Sequence, residues 1–385
     1  MQLNTSPVAT QRIAVPVIAL ALYAIASGYL MSLIPLILTH YELDESLASW
    51  LASVFYAGLL LGAMMMEPFV NRYGHRIAFI WCLVILLLSI VVLPFLPDAS
   101  VWLVARFVAG IAVAGVFVVV ESWLLHGEAS QRAKRLGIYM VALYGGTAVG
   151  QLGIGLGVSG DIPFAIIIVL LVLASAVLIY GKTDQPPAQQ ATSLSWKQMA
   201  KLDHAALIGC LVSGLLLGAI YGLMPVELAN RGIATTHLGS LLALVILGAM
   251  AVQPMIPWFS KLMGRKLLMA MFCLVGAGAS VLPVLYAGME TLVIGLFLLG
   301  MATFALYPIA INLGCDKLDA NYIVSATQVM LFSYSVGSVV GPIMADWFMQ
   351  GRQGLLGYLF VISLSTCLYM LFSSIKTKRQ WVAGG

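Results

Sequence analysis

Two ionisable residues share one apolar stretch, "VWLVARFVAGIAVAGVFVVVESWLL" at 101–125. Arg106 and Glu121 are the residues there that could carry charge chemistry: ion pairing, solute electrostatics or proton transfer. On one helix they stand about 22 Å apart and cannot pair with each other. Arg106 would lie about 7–8 Å inside one end of that helix. A charge at such depth costs about 2.5–3.5 kcal/mol and must face protein or a cavity. Two roles stay open for it. One is structural, a bond to neighbouring helix carbonyls or a reach back to water. The other is electrostatic, toward a solute or a coupled proton. Glu121 would lie about 30 Å along the helix from Val101, at the far edge of a hydrocarbon layer. There it is expected to act as a gate, paired with Arg72 or Arg76 beside Asn71 and Gly74. The alternatives are a proton carrier and a boundary residue reaching for water.

Polar side chains recur within other apolar stretches: Tyr23, Ser27, Tyr29, Tyr144, Thr147, Tyr221, Tyr307, Asn312, Gln328, Ser333 and Tyr334. A phenol in lipid lacks a partner, so these groups should point into a bundle. About half would bond a neighbouring helix. The rest, with Arg106, would line a cavity rich in rings and hydroxyls and poor in charge. That suits an amphipathic or weakly charged organic molecule. A bare metal ion would need convergent carboxylates. No nucleophile–base set or metal spacing is visible, so no catalytic residue, metal or cofactor is expected. "GQLGIGLG" has Gly-x-Gly spacing without a preceding strand and is no nucleotide fingerprint. His75, His126, His204 and His237 sit at the ends of apolar stretches and read as interfacial. The five cysteines, Cys82, Cys210, Cys273, Cys315 and Cys367, form no C-x-x-C pair and read as free thiols.

The elements that must hold these residues follow from composition. The 385 residues are 62% hydrophobic and 9% charged, against about 25% charged in soluble domains. Lipid must therefore solvate most of the chain. The net charge of +4 comes without a basic run interleaved with aromatics, so no nucleic-acid partner is expected. The first apolar stretch is too long for a signal-peptide core and should stay as a helix. Twelve stretches reach spanning length: about 13–38, 47–69, 77–97, 101–126, 135–159, 162–181, 204–229, 236–260, 266–288, 290–314, 322–348 and 354–375. One long polar segment, 182–203, separates residues 1–181 from 204–385, six stretches in each. Trp196 among Lys197 and Lys201 could anchor a surface helix in that linker, and a plain tether serves equally. With both termini inside, sixteen of the 19 Lys and Arg fall in cytoplasmic segments, as the positive-inside rule requires.

The two halves also resemble each other. Gly28 and Pro35 recur as Gly218 and Pro225, Gly110 as Gly300, and Gly74 as Gly264, all at an offset of 190. Gly150 recurs as Gly341 at 191. "LGAMMMEP" (61–68) matches "LGAMAVQP" (247–254) one helical turn out of step. Several matches at nearly one offset indicate duplication. Two tandem six-helix halves form the parallel-repeat architecture of many secondary transporters, with the solute site near the midplane between them. Gly28, Pro35, Gly110, Gly146, Gly150, Gly218, Pro225, Gly337, Gly341 and Pro342 are the expected points of close packing or bending.

The motifs carry a resemblance to the major facilitator superfamily over the whole chain. In "NRYGHR" the residues Arg72, Gly74 and Arg76 match the loop signature after the second span. Asn71 and Glu67 replace its Asp and leading Gly. "RFVAG" at Arg106–Gly110 matches the Arg-x-x-x-Gly of the fourth span. "GTAVGQ" resembles the Gly-x-x-x-Gly-Pro of drug antiporters, with Gln151 in place of Pro, whereas "GSVVGP" keeps Pro342. "VVVESWLL" and "YGGTAVGQL" are similar to the YcaD-type bacterial branch. The resemblance implies an all-α membrane protein with twelve transmembrane helices in two pseudo-symmetric halves. It implies a monomeric secondary transporter of the bacterial inner membrane, set in lipid and working by alternating access. Its expected partners are a small organic solute and protons, with efflux favoured. A lipid or lysolipid flippase and a non-transporting sensor or assembly partner are the alternatives.

Overall fold

A computed structural model describes residues 13–125, 135, 137–158, 160–183, 203–286, 288–316, 320–351 and 354–383. Twelve helices among them are long and apolar enough to cross a membrane. The first six are α1 (Ala14–Ile37), α2 (Leu47–Tyr73), α3 (His75–Phe95), α4 (Ala99–Leu125), α5 (Gly137–Leu156) and α6 (Ile162–Tyr180). The second six are α7 (His204–Asn230), α8 (Thr235–Val252), α9 (Arg265–Leu285), α10 (Met289–Cys315), α11 (Ala320–Met349) and α12 (Gly354–Ala383). The protein is an all-α, twelve-span membrane protein. Trp196 and most of the 182–203 linker lie outside the described residues, as do His126, Arg132 and Lys134. The helices around Glu67 and Gln328 are described, but not those two side chains.

The face from which α1 begins and α6 ends is here the linker face; the opposite one is the distal face. On the linker face α2 passes into α3 through Gly74, at φ 78° and ψ 160°. A side chain there would be strained, which accounts for glycine in this tight connection. Its sequence counterpart Gly264 is ordinary extended backbone, at φ −63° and ψ 144°. The repeat therefore preserves the residue without preserving the conformation. The eighth span also departs from the single 236–260 stretch. α8 stops at Val252, and a separate short helix covers Met255–Leu262. Pro254 lies at the break, where it lacks an N–H and crowds the preceding turn. Pro68, its counterpart by motif, stays inside an unbroken α2.

The duplication is visible as repeated backbone contacts. A Cβ at Gly110 of α4 would collide with the Phe55 carbonyl of α2, and one at Gly300 of α10 with the Val245 carbonyl of α8. Both partners of the first contact recur 190 residues later in the second. Gly58 against Phe107 recurs likewise as Gly248 against Phe297. Gly28 and Gly150 lock α1 to α5, against Thr147 and Ile25. Gly218 and Gly341 lock α7 to α11 in the same way, against Ser338 and Leu215. Lipid offers little hydrophobic drive for helix association, so small residues that let backbones approach supply it by close packing. The recurrence of glycines at offsets of 190–191 residues is thus a map of these approaches.

Between the halves, close approach is seen toward the distal face. Gly222 of α7 meets Ala52 of α2, Gly239 of α8 meets Gln151 and Leu152 of α5, and Gly155 meets Thr236. Asp44 and Asp346, both near that face, are within electrostatic reach of each other. The Ser46 side chain, and then the Ser46 N–H that Asp44 accepts at 2.7 Å, lower the Asp44 pKa from the ordinary carboxylate value. On the linker face the ties run within each half. Arg76 donates from Nε and from a terminal nitrogen to the Leu178 and Ile179 carbonyls at 2.5 Å each, fastening the start of α3 to the end of α6. Arg265 bonds the Asn312 carbonyl and pairs with Asp316, fastening α9 to the end of α10.

Candidate functional site

The predicted cavity residues divide between two places. Tyr144 of α5 meets Phe304 of α10 edge-on at 5.8 Å, and Tyr221 of α7 meets the same ring at 6.0 Å. The rings of Tyr307 and Tyr334, on α10 and α11, lie 4.9 Å apart at an interplanar angle of 55°. Tyr144 comes from the first half and the other four from the second, so these rings lie where the halves face each other. Tyr56 of α2 is within electrostatic reach of Tyr334 and Tyr221 and joins them.

Glu121 stands at the linker-face side of this cluster. Its carboxylate accepts a hydrogen bond from the Tyr139 hydroxyl at 3.0 Å. It is also within reach of Tyr144 and Tyr307, one from each half. Rings surround it, yet its side chain is solvent-exposed. It therefore lines the gap between the halves. The local helix geometry helps: α5 opens into a π-helical turn at Val141–Gly145, then returns to α-helix at Gly146–Leu152. A π turn widens the helix and redirects the side chains around it, and Tyr144 lies within it.

The expected gate pairing is absent from this conformation. Among the described residues no ion pair joins Glu121 to Arg72 or Arg76. Arg76 is committed to the end of α6, and the Arg72 guanidinium lies 5.5 Å from the Tyr73 ring centroid. Asn71 is exposed beside them.

Arg106, Tyr23, Ser27 and Tyr29 were expected in the central cavity, but the structure places them inside the first half. Arg106 is 5% exposed, and its charge lies 4.3 Å from the centre of the Phe55 ring. It shares a small cavity with Ser27, Leu30 and Met31 of α1, Leu86 and Ile90 of α3 and Leu171 of α6. Helices α3 and α6 pack behind α1 and α4, away from the second half. Tyr23 is buried edge-on against Phe117, with ring centroids 6.2 Å apart. Tyr29 packs on Gly150 and Gly153. Thr147 and Asn312 bond the carbonyls one turn back, Leu143 and Pro308, both at 2.8 Å. Ser333 bonds the Leu207 carbonyl of α7 at 2.9 Å, a helix-to-helix tie.

Sequence reasoning missed Tyr56, Tyr139, Phe304 and Glu227. The last is buried near the distal end of α7. It pairs with Arg231 Nε at 2.7 Å and accepts the Leu355 N–H at 2.8 Å, clasping α7 to the start of α12. Its i,i+4 spacing from Arg231 was the available signal. Gln151, noted as standing where a proline is usual, is 4% exposed, with its carbonyl oxygen unpartnered.

The family profile described as Major Facilitator Superfamily matches residues 17–342. A Yersinia pestis protein named as an uncharacterized MFS-type transporter is 30% identical over 359 residues, which is 91% of this chain and 92% of that one. One from Salmonella arizonae, named uncharacterized MFS-type transporter YcaD, is 31% identical, with 91% and 92% coverage. Among solved structures, the nucleoside transporter NupG aligns with a TM-score of 0.72 at 13% identity, covering 94% of this chain and 97% of its own. The peptide transporter POT aligns at 0.73 and 14%, covering 95% and 94%. At such identities these two show a shared fold.

Proposed function

The chain belongs to the Major Facilitator Superfamily, and from that premise we propose that it carries a small amphipathic organic cation through the gap between its halves, in exchange for protons. It is a multi-pass membrane transporter rather than an enzyme. The observation that carries the reading is Glu121. It is a carboxylate open to water, set among phenol rings from both halves. Rings supply apolar area and cation–π attraction, and the carboxylate supplies the opposite charge. One carboxylate can hold either a proton or a cation, which is the minimum needed for exchange.

The sidedness follows from the sixteen Lys and Arg assigned to one face, which make the linker face cytoplasmic. The membrane is then the bacterial inner membrane and the chain works as a monomer. The halves approach each other toward the distal face, and Glu121 is exposed on the other side. This conformation is thus open inward. Rocking the halves would close the linker face and open the distal one. In the closed state Glu121 could exchange Tyr139 for Arg72, whose guanidinium here meets a ring. Exchange of a cation against inward proton flow favours efflux.

A second reading has one observation behind it. A largely apolar groove of about 700 Å³ lies between α5 and α8, lined by Val149, Leu152, Leu244, Leu247 and Met250, with His237 and Ser240 among them. A lipid-like substrate could enter there sideways. The test separating the two is a stabilisation screen on purified protein, because a binder raises apparent stability by mass action. Hydrophobic ammonium compounds should raise the unfolding temperature, and neutral analogues of equal size should not. Stabilisation by lysolipids alone would favour the second reading. Stabilisation by organic anions alone would overturn the cation assignment.

A further inference from the structure

The small cavity beside Arg106 has features that the central gap does not explain. Arginine keeps its charge under all ordinary conditions. Here the guanidinium is 5% exposed, its Nε is fully buried without an acceptor, and it forms no hydrogen bond or ion pair among the described residues. One face is covered by the Phe55 ring. The hydroxyl groups of Tyr23 and Tyr56 are within electrostatic reach, but they are neutral and form no hydrogen bond to the guanidinium. The other walls, Leu30, Met31, Leu86, Ile90 and Leu171, are apolar. A buried charge needs a partner of opposite sign, and no carboxylate is among the described residues that line this cavity.

The free space decides what that partner can be. It amounts to about 10 Å³, roughly the room needed for one water-sized particle. A carboxylate or phosphate ligand does not fit. A single monatomic anion is the largest that approaches the fit, and chloride, slightly larger than water, requires the flexible Leu and Met walls to give a little. We propose that the cavity enclosed by α1, α2, α3, α4 and α6 is a halide site, holding one chloride against Arg106. Phe55 lies across one side of the cation, and the apolar walls exclude water. Tyr56 is within electrostatic reach both of Arg106 and of the central rings, so the site adjoins the central cavity there, but it does not depend on the solute assigned to that cavity. By neutralising Arg106 the ion would stabilise the first half as a rigid body, so chloride would act as a structural ligand and not as cargo.

The experiment is equilibrium binding of radiolabelled chloride to the purified full chain, alongside thermal unfolding in chloride and in gluconate at equal ionic strength. The expected result is one saturable chloride per chain and a higher unfolding temperature in chloride, with the larger bromide binding more weakly. Arg106→Gln should weaken binding more than tenfold and remove the difference between the two salts. If Arg106→Gln does not fold, Ser27→Val fills the space while leaving the cation in place, and it should also displace chloride. Equal unfolding temperatures in both salts with no bound chloride would overturn the proposal and leave a water molecule as the occupant. Undiminished chloride binding in a folded Arg106→Gln protein, or in Ser27→Val, would overturn it by placing the ion elsewhere.

Discussion

The Tyr139 hydroxyl donates to the Glu121 carboxylate across 3.0 Å, joining the linker-face ends of α4 and α5. The residues are 18 apart in sequence and lie on consecutive spanning helices. Their bond orients a water-accessible carboxylate toward rings of the second half. A hydrogen bond to a charged group contributes about 1.5–3 kcal/mol, enough to bias which partner Glu121 takes.

Tyr139→Phe removes that donor and little volume. Glu121 is then freer to meet Arg72, so the closed linker face should become more populated. A cysteine placed at Tyr307 should be labelled more slowly from the cytoplasmic side in this variant. Unchanged labelling would make the bond incidental to conformation.

Glu121→Gln keeps the shape and removes the charge. Binding of an organic cation should weaken at least tenfold, which corresponds to about 1.4 kcal/mol. Solute efflux in vesicles should lose its response to an imposed pH gradient, whereas counterflow of labelled against unlabelled solute should persist. A pH response equal to that of the wild type would remove Glu121 from the coupling.

The repeated glycine contacts predict matched injuries. Gly110→Leu drives a side chain into the Phe55 carbonyl, and Gly300→Leu does the same at Val245. Overpacking of this kind costs about 1–3 kcal/mol. Both variants should show lower unfolding temperatures in detergent, by similar amounts. Gly264→Ala, at extended backbone with open space around it, should be nearly silent, whereas Gly74→Ala should not.

These contrasts show what the sequence could and could not reveal. The twelve spans and the duplication were legible because lipid permits few polar residues and the glycine spacing recurs. The aromatic gap was half legible. Tyr144, Tyr221, Tyr307 and Tyr334 face it, as a phenol in lipid must face protein. The same rule could not distinguish the gap from the interior of one half, and that is where Tyr23, Tyr29, Ser27 and Arg106 lie. Periodicity shows that a side chain avoids lipid without showing which neighbouring helix it meets. Tyr139 was invisible as a partner because its bond to Glu121 depends on how two helices pack against each other. The Arg76 bonds to Leu178 and Ile179 were likewise hidden, since backbone carbonyls leave no mark in a sequence.

Sidedness has its own test. In a background without native cysteines, Ser46→Cys should react with an impermeant thiol reagent in intact cells, and Gln189→Cys should not. The reverse pattern would turn the protein over in the membrane and make the present conformation open outward.

The central claim is that the halves rock about the aromatic gap. Asp44 and Asp346 stand in different halves near the distal face, within electrostatic reach of each other. Asp44→Cys combined with Asp346→Cys, joined by a short bifunctional thiol reagent, should hold the distal face closed. Solute movement across vesicles should then stop, recover when a cleavable linker is cut, and leave solute binding from the cytoplasmic side intact. Full-rate transport by the cross-linked protein would contradict the account.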